Sequence, residues 1–254
     1  MKSKNLAVLA ATAVVLAAAA MTIGRGNRPG GAKLNGKAIL PDLDISKVAS
    51  IEFGDKLKLV AGDDGWTVAS FRDYPADHAK LTENLLKLSE LKVGQTARGK
   101  TLDKTENLTL RDPKGVELAV LKLGEKHPKY GHGRYLAFDG VTVLASDALD
   151  AFDGDPKRWI ETKIVDEPWI SFNDLADAAL SEAEMGLTTG IVAKVTVAGD
   201  TNRVLTIGGV VGGKSDRYVK LDGSKWVYEV SSYSVDKFLP KPPKSEKSAE
   251  AENK

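Results

Sequence analysis

Residues 120–140 read VLKLGEKHPKYGHGRYLAFDG, and residues 204–223 read VLTIGGVVGGKSDRYVKLDG. Both stretches contain an apolar run that ends in glycine, then an Arg-Tyr pair, then an Asp-Gly dipeptide three residues later. Asp-Gly between two apolar runs favours a two-residue type I′ hairpin turn. The similarity predicts one supersecondary unit used twice, with the order strand, loop, strand, tight turn, strand.

The similarity extends outward from both stretches. Downstream, Phe152 corresponds to Phe238. Upstream, Leu108-Thr-Leu110 precedes a turn at Asp112-Pro113, and we interpret Met185-Gly-Leu187 before Gly190 as its counterpart.

Residues before the first copy alternate apolar and polar side chains, from Val48 to Phe53 and again from Leu57 to Val60. Such alternation is typical of half-buried strands. Asp63-Asp64-Gly65 predicts a turn, and the return strand begins at Trp66.

Two helices are predicted. Pro75 and Asp77 favour a helix start, and the apolar face that follows consists of Leu81, Leu85 and Leu88. A second helix is predicted from Asp174 to Glu184. The second copy of the repeat has no counterpart of the long leucine-faced helix.

An apolar run of 18 residues lies at the N-terminus, from Leu6 to Ile23, directly after Lys2 and Lys4. A short basic region followed by an apolar run is typical of an export signal. The run reaches the lower length limit for crossing a bilayer as a helix, so it is interpreted as a retained anchor. The alternative is a signal that is cleaved near Ala20. The first interpretation predicts a single-pass protein of the cell membrane with most of its chain periplasmic, and the second predicts a secreted protein.

These patterns together predict an α+β protein. It consists mostly of antiparallel β-sheet in two related units with one or two packed helices, after an N-terminal transmembrane helix or signal segment. The predicted divisions are a signal anchor (1–24), a flexible tether (25–40), a first β-rich unit with a helix (41–165), a second, shortened unit (166–239) and a disordered tail (240–254).

The composition argues against several classes of function. The chain contains no cysteine, which excludes disulfides, thiolate metal sites and a cysteine nucleophile. Its 36 basic and 35 acidic side chains give a net charge of +1, whereas a nucleic-acid-binding surface normally shows a basic excess. No nucleic-acid partner is therefore expected.

The segment from Gly208 to Ser215 matches the phosphate-binding loop pattern G-x-x-x-x-G-K-[ST]. That mechanism needs a helix beginning at the Lys-Ser pair, whereas the following residues favour a strand that leads into a hairpin. We therefore interpret the segment as a glycine-rich hairpin loop and expect no bound nucleotide.

His127 and His132 share one loop, and a metal site would need at least a third ligand. The remaining histidine, His78, lies on the predicted first helix. Acidic residues are scattered, and no nucleophile motif is present. The expectation is therefore a chain without a metal, a cofactor, a catalytic residue or an enzymatic activity.

The recurring pairs Arg134-Tyr135 and Arg217-Tyr218 are the candidate contacts for a ligand or partner. Because neighbouring strand residues point to opposite faces, the tyrosines are expected to pack and the arginines to be solvated or ion-paired. The tryptophans are interpreted as packing residues rather than a sugar platform; they are Trp66, Trp159, Trp169 and Trp226.

Several motifs resemble one bacterial family, the domain of unknown function 4340. They are the signal-like segment, the Trp66 hairpin, Tyr74-Pro75-Ala76-Asp77 before the leucine-faced helix, the Asp112-Pro113 turn, the block from Leu-x-Leu-Gly to Arg-Tyr-x-x-x-Asp-Gly, and Asp155-Pro-Lys-Arg-Trp159-Ile160. The resemblance spans roughly residues 38 to 240. It implies a single-span membrane protein whose gene neighbours those of an ABC-type exporter, and it implies no catalytic residues.

The expected function is that of a non-enzymatic, membrane-anchored extracytoplasmic protein, an accessory subunit of an ABC-type export complex. Its expected partners are the membrane, through the N-terminal segment, and ABC transporter subunits. An envelope module that binds a glycan or a peptide is the alternative, and an undetected hydrolase remains a third interpretation.

Overall fold

A computed structural model describes residues 34–129, 132–165, 170–197 and 202–239. The chain divides into two compact units, Met1–Glu161 and Thr162–Lys254, whereas the sequence prediction placed the division after residue 165. The predicted anchor, most of the predicted tether, Trp169 and the predicted tail lie outside the described residues. Within the described ranges, no helix has the length and apolar character needed to cross a membrane.

The first unit contains a nine-stranded sheet in which all neighbouring strands are antiparallel. Its strands are β1 (Ser50–Phe53), β2 (Leu57–Gly62), β3 (Gly65–Val68), β4 (Tyr74–Pro75), β5 (Val93–Thr96), β6 (Glu106–Arg111), β7 (Glu117–Lys126), β8 (Arg134–Phe138) and β9 (Val141–Ala145). The spatial order is β4-β3-β2-β1-β6-β7-β8-β9-β5.

Alternating side chains of this sheet form the core of the first unit. Ile51 of β1 is paired with Leu59 of β2 and with Leu110 of β6, and all three are buried. On the opposite face, Glu52 forms ion pairs with Lys58 (3.0 Å) and Arg111 (3.3 Å). One apolar face and one charged face are typical of an antiparallel sheet with a solvated side. The strands predicted at Val48 to Phe53 and Leu57 to Val60 are confirmed.

Helix α1 (His78–Ser89) is the predicted leucine-faced helix, and its buried face includes Leu81, Leu85 and Leu88. The Asp77 carboxylate accepts hydrogen bonds from the N–H groups of Ala79 (2.9 Å) and Lys80 (3.1 Å). Burial alone would raise the pKa of this carboxyl, but these bonds and the Lys80 side chain outweigh it and lower the pKa. The helix and its cap are confirmed.

We expect Asp77→Ala to lower the free energy of unfolding at pH 7 by about 1 kcal/mol, because two N–H groups lose their acceptor. Asp77→Asn keeps that acceptor and is the matched control. Because the folded-state pKa is lowered, the charge stabilises the fold above the unfolded pKa, and this contribution is lost as the pH falls through the folded pKa. Urea unfolding at pH 7 and pH 3 measures both effects; equal stability of the Ala variant and the wild type at pH 7 would contradict this role.

The hairpin between β8 and β9 turns at Asp139-Gly140. Phe138 pairs with Val141 across the turn. Asp139 has φ 48° and Gly140 has φ 75°, and positive φ at both central residues is the requirement of a type I′ turn. The predicted turn is confirmed.

The second unit contains a two-stranded and a five-stranded sheet, both antiparallel. Their strands are β10 (Lys163–Val165), β11 (Ile170–Ser171), β12 (Asp174–Leu175), β13 (Ala193–Val197), β14 (Arg203–Val210), β15 (Asp216–Leu221) and β16 (Val227–Ser231). The larger sheet has the order β12-β16-β15-β14-β13, and a short helix α2 (Ser232–Val235) follows β16. The fold is thus α+β and mostly antiparallel, as predicted.

The repeat is confirmed at the level of strand register. Leu123 of β7 pairs with Leu136 of β8, and Ile207 of β14 pairs with Val219 of β15. In both pairs of strands the register then shifts, so that Lys126 meets Arg134 and Val210 meets Arg217. The same irregularity at the same place indicates that β7-β8-β9 and β14-β15-β16 are copies of one meander.

The upstream extension of the repeat was assigned to the wrong residues. β6, which contains Leu108-Thr-Leu110, pairs with β7, and the strand that pairs with β14 in the same way is β13. Met185-Gly-Leu187 is not a strand. The apolar spacing of Met185 and Leu187 reflects burial in a cluster with Ala176, Val211 and Tyr218.

The helix predicted from Asp174 to Glu184 is also wrong. Asp174–Leu175 is strand β12, and a single helical turn follows, opened by Ser181, whose hydroxyl and N–H bond the Glu184 carboxylate. Gly186, with φ 70°, ends the turn, and Leu187 N–H returns to the Glu182 carbonyl. The sequence contains the capping residues of a helix, but a glycine C-cap follows too closely for a second turn.

Candidate functional site

A cleft with an approximate volume of 420 Å³ lies in the first unit between helix α1 and residues 147–158; we refer to it as the α1 cleft. Its volume is in the range of small-molecule sites. Besides Asn84, its polar lining consists of Lys80, Lys87, His132, Asp147, Asp150 and Arg158. Ionisable groups of both signs therefore converge from one helix and two loops.

Asn84 contributes a polar group to the buried face of α1, where it is only 8% exposed. Its Nδ2 donates to the Lys80 carbonyl at 2.8 Å, which fixes the orientation of the amide. The other amide atom, Oδ1, has no hydrogen-bond partner among the described residues. Asn84 Oδ1 is not one of the buried side-chain atoms that lack a partner, so this oxygen is open to solvent from the cleft.

The opposite wall is a tight turn that positions Asp147. The Asp147 Oδ1 atom accepts a hydrogen bond from Leu149 N–H at 2.6 Å, and Phe152 N–H donates to the Leu149 carbonyl at 2.9 Å. Leu149 has φ 50°, a conformation that a branched side chain rarely adopts. Its side chain is fully buried, which holds this strained backbone in place.

The cations around the cleft are all engaged. Lys80 Nζ lies 3.3 Å from Asp77 and donates to the Ile160 carbonyl at 3.1 Å. Lys87 lies 2.6 Å from Glu83, and Arg158 Nε lies 2.6 Å from Asp153.

The shifted pKa values follow this pairing. The hydrogen bond to Glu83 raises the pKa of Lys87, and the charges of Asp147 and Asp150 add to the effect. The ion pair with Lys126 lowers the pKa of Asp150. A general acid needs a raised carboxyl pKa, so Asp150 fits ion pairing better than proton donation. The arrangement favours binding of a polar ligand.

Arg134 lies in the core, which contradicts the expectation of a solvated or ion-paired side chain. It is 8% exposed; Nε donates to the Gly124 carbonyl at 2.8 Å and Nη1 to the Phe152 carbonyl at 2.6 Å. Burial lowers the pKa of Arg134, and its guanidinium lies 5.4 Å from the Phe53 ring centroid. Tyr135 is only half-buried, so the predicted packing is reversed in this copy.

The second pair, Arg217-Tyr218, agrees with the prediction of a packed tyrosine and an ion-paired arginine. Tyr218 is buried, and the burial raises its pKa. Arg217 Nε is ion-paired with Asp236 at 2.5 Å. The two copies differ because residues 176–187 cover the Tyr218 side of the sheet, where Met185 and Leu187 pack against Tyr218. Neither Arg-Tyr pair lines the α1 cleft.

The segment Gly208 to Ser215 is a strand end and a hairpin, as predicted. β14 ends at Val210, β15 begins at Asp216, and Lys214 is ion-paired with Glu229. A Cβ on Gly208 would lie 2.3 Å from the Met185 carbonyl oxygen. Gly209 N–H donates to that same oxygen at 2.9 Å. The glycines are thus explained by close backbone approach, and the absence of a bound nucleotide stays a prediction.

The loop histidines have different surroundings. His127 packs against Tyr135 with ring centroids 5.6 Å apart, whereas His132 lines the α1 cleft. Across the described ranges, no three His, Cys, Asp or Glu side chains are grouped so that they could hold a metal ion. Trp159 is fully buried against Phe152, as expected of a packing residue.

Sequence reasoning missed every residue of the α1 cleft except His132. One signal was available, because Asn84 interrupts the apolar face formed by Leu81, Leu85 and Leu88. A polar residue in an apolar helix stripe suggests a buried hydrogen-bonding role. Asp147 and Arg158 gave no such signal, since their convergence depends on the tertiary structure.

Comparison with known proteins found one family whose model matches part of this chain. Residues 66–187 match the family described as Domain of unknown function (DUF4340), and this segment includes α1 and all polar residues of the α1 cleft. No curated protein and no solved structure matches the chain. The match over residues 66–187 therefore supports the resemblance of the chain to the DUF4340 family.

Proposed function

We propose that the chain is a non-enzymatic, membrane-anchored extracytoplasmic protein that acts by holding a partner, as an accessory subunit of an ABC-type export complex. The observation that supports this proposal is that the cationic side chains in the core of the first unit and around the α1 cleft are paired with carboxylates or with main-chain carbonyls. The buried guanidinium of Arg134 bonds main-chain carbonyls, and the cations around the α1 cleft are neutralised by neighbouring carboxylates. Such pairing stabilises a scaffold, whereas catalysis needs groups poised to exchange protons.

The location rests on the apolar run from Leu6 to Ile23 and the basic residues before it. An N-terminal span of this type leaves the following chain on the far side of the membrane. The association with an ABC-type exporter rests on the family resemblance.

Because the chain has no cysteine, single-cysteine variants report its topology directly. Position 114 is exposed. We expect a membrane-impermeant maleimide to label Lys114→Cys in cells whose outer membrane has been permeabilised and whose inner membrane is intact. Ser3→Cys, before the apolar run, is the control and should react only after the inner membrane is lysed. Labelling of both variants only after lysis would contradict the proposed location.

A module that binds an envelope glycan or peptide is the second candidate, and the α1 cleft favours it. Its lining is polar, and Trp159 is buried, so no stacking contribution from that side chain is expected. The two candidates differ in their behaviour after purification: a subunit stays with a protein complex, whereas a binding module dissociates from it and retains a small ligand.

A further inference from the structure

We propose that the α1 cleft binds a ligand through a primary ammonium group. The first observation is the Asn84 carbonyl, which lies on a side chain that is more than nine-tenths buried and that lines the cleft. Because the Lys80 carbonyl fixes the amide orientation, Oδ1 stays available as an acceptor. A ligand that satisfies it must donate a hydrogen bond.

The second observation is the charge of Asp147. Its Oδ1 atom holds the Leu149 turn, and within the described ranges its carboxylate forms no ion pair. The second carboxylate oxygen is therefore available to a cation. Asn84, on helix α1, and Asp147, in the loop after β9, line the same cleft and provide one neutral and one charged acceptor.

The surrounding charges favour a cation over an anion. Four basic side chains lie in or beside the cleft, and each has its own carboxylate partner; the pairs are Lys80–Asp77, Lys87–Glu83, Lys126–Asp150 and Arg158–Asp153. Among the carboxylates that line the cleft, Asp147 is the one without an ion pair within the described ranges. An anionic ligand would have to compete with four existing ion pairs, whereas an ammonium would meet a carboxylate that forms no ion pair within the described ranges.

An ammonium group also matches the number of acceptors. It has three donors, so it could serve one amide acceptor and one carboxylate acceptor and keep one hydrogen bond to water. The volume of 420 Å³ leaves room for a short chain or ring attached to the amine. The group could come from a soluble amine or from an aminated lipid headgroup, and both sources share this chemistry. Binding at the cleft does not depend on the partner proposed above.

The test titrates the full chain in detergent with cadaverine, with pentane-1,5-diol and glutarate as controls of equal length. We expect cadaverine to shift the Asn84 side-chain amide resonance and to bind at least about tenfold more tightly than either control. Tighter binding of glutarate, or no shift at the cleft with any probe, would overturn the proposal.

Two variants sharpen the test. Asp147→Asn keeps the acceptor for Leu149 N–H but removes the charge, and we expect it to weaken cadaverine binding about tenfold. Asp139→Asn removes a carboxylate that is paired with Lys37 and lies outside the cleft, so affinity should not change. Equal affinity of Asp147→Asn and the wild type would contradict the site.

A further titration distinguishes the sources. Bicelles containing phosphatidylethanolamine carry a primary ammonium, whereas those of phosphatidylcholine carry a quaternary one without N–H donors. Shifts at Asn84 with the first lipid alone identify a lipid amine as the ligand, and shifts with cadaverine alone identify a soluble amine. Equal shifts with both lipids would overturn recognition of the primary ammonium.

Discussion

Replacing Arg134 with methionine is expected to lower the stability of the first unit by about 3 kcal/mol. Methionine retains most of the apolar stem but leaves the Gly124 and Phe152 carbonyls without the donors that now lie at 2.8 and 2.6 Å. Native-state hydrogen exchange, followed by mass spectrometry of peptides from β7, β8 and β9, measures the loss within that unit.

Arg217→Met is the matched control, because Arg217 occupies the same position in the second copy of the meander. Its side chain reaches Asp236 through an ion pair near the surface, and pairs of this kind contribute at most about 1 kcal/mol. Similar losses at the two positions would contradict the different roles assigned to the two arginines.

The second large effect is expected at Gly208. A Cβ at this position would lie 2.3 Å from the Met185 carbonyl oxygen and 3.2 Å from Leu187 Cδ2. The first contact is with backbone, so the segment must move away from β14 and lose the hydrogen bond from Gly209 N–H. We expect Gly208→Ala to destabilise the second unit by about 2–3 kcal/mol, with faster exchange in peptides from β14 and β15.

Gly212→Ala provides the comparison within the same glycine-rich segment. A Cβ at Gly212 would meet no atom within 4 Å, so stability should change by less than about 1 kcal/mol. If the segment held phosphate, ATP would raise the stability of the wild type, and Lys214→Ala would abolish that increase. We expect ATP to have no effect on either protein.

Local sequence patterns predicted the parts of the fold that depend on few residues. Asp139-Gly140 specified a type I′ turn because both residues tolerate positive φ, and α1 followed from its cap and its leucine spacing. The repeat was visible because the two copies share strand, turn and register, including the irregularity before Arg134 and Arg217.

Features that depend on which segment packs against a given face of a strand or helix could not be predicted from the sequence. Strand alternation placed Arg134 and Tyr135 on opposite faces but could not show which face was buried. The residues from Asp174 to Glu184 have helical caps, yet Leu175 pairs with Tyr228, and Gly186 ends the helical turn that follows Ser181. The α1 cleft combines residues more than 70 positions apart, from Lys80 to Arg158, so no local period could indicate it.

The central claim, that the chain is a membrane-bound subunit and not an enzyme or a free binding module, is tested most directly by purification from native membranes. The full-length chain with a C-terminal tag would be extracted in mild detergent, separated by size and analysed by mass spectrometry. We predict co-elution with the membrane and ATPase subunits of an ABC-type exporter in a fixed ratio. Elution of the chain alone under these conditions would contradict the claim.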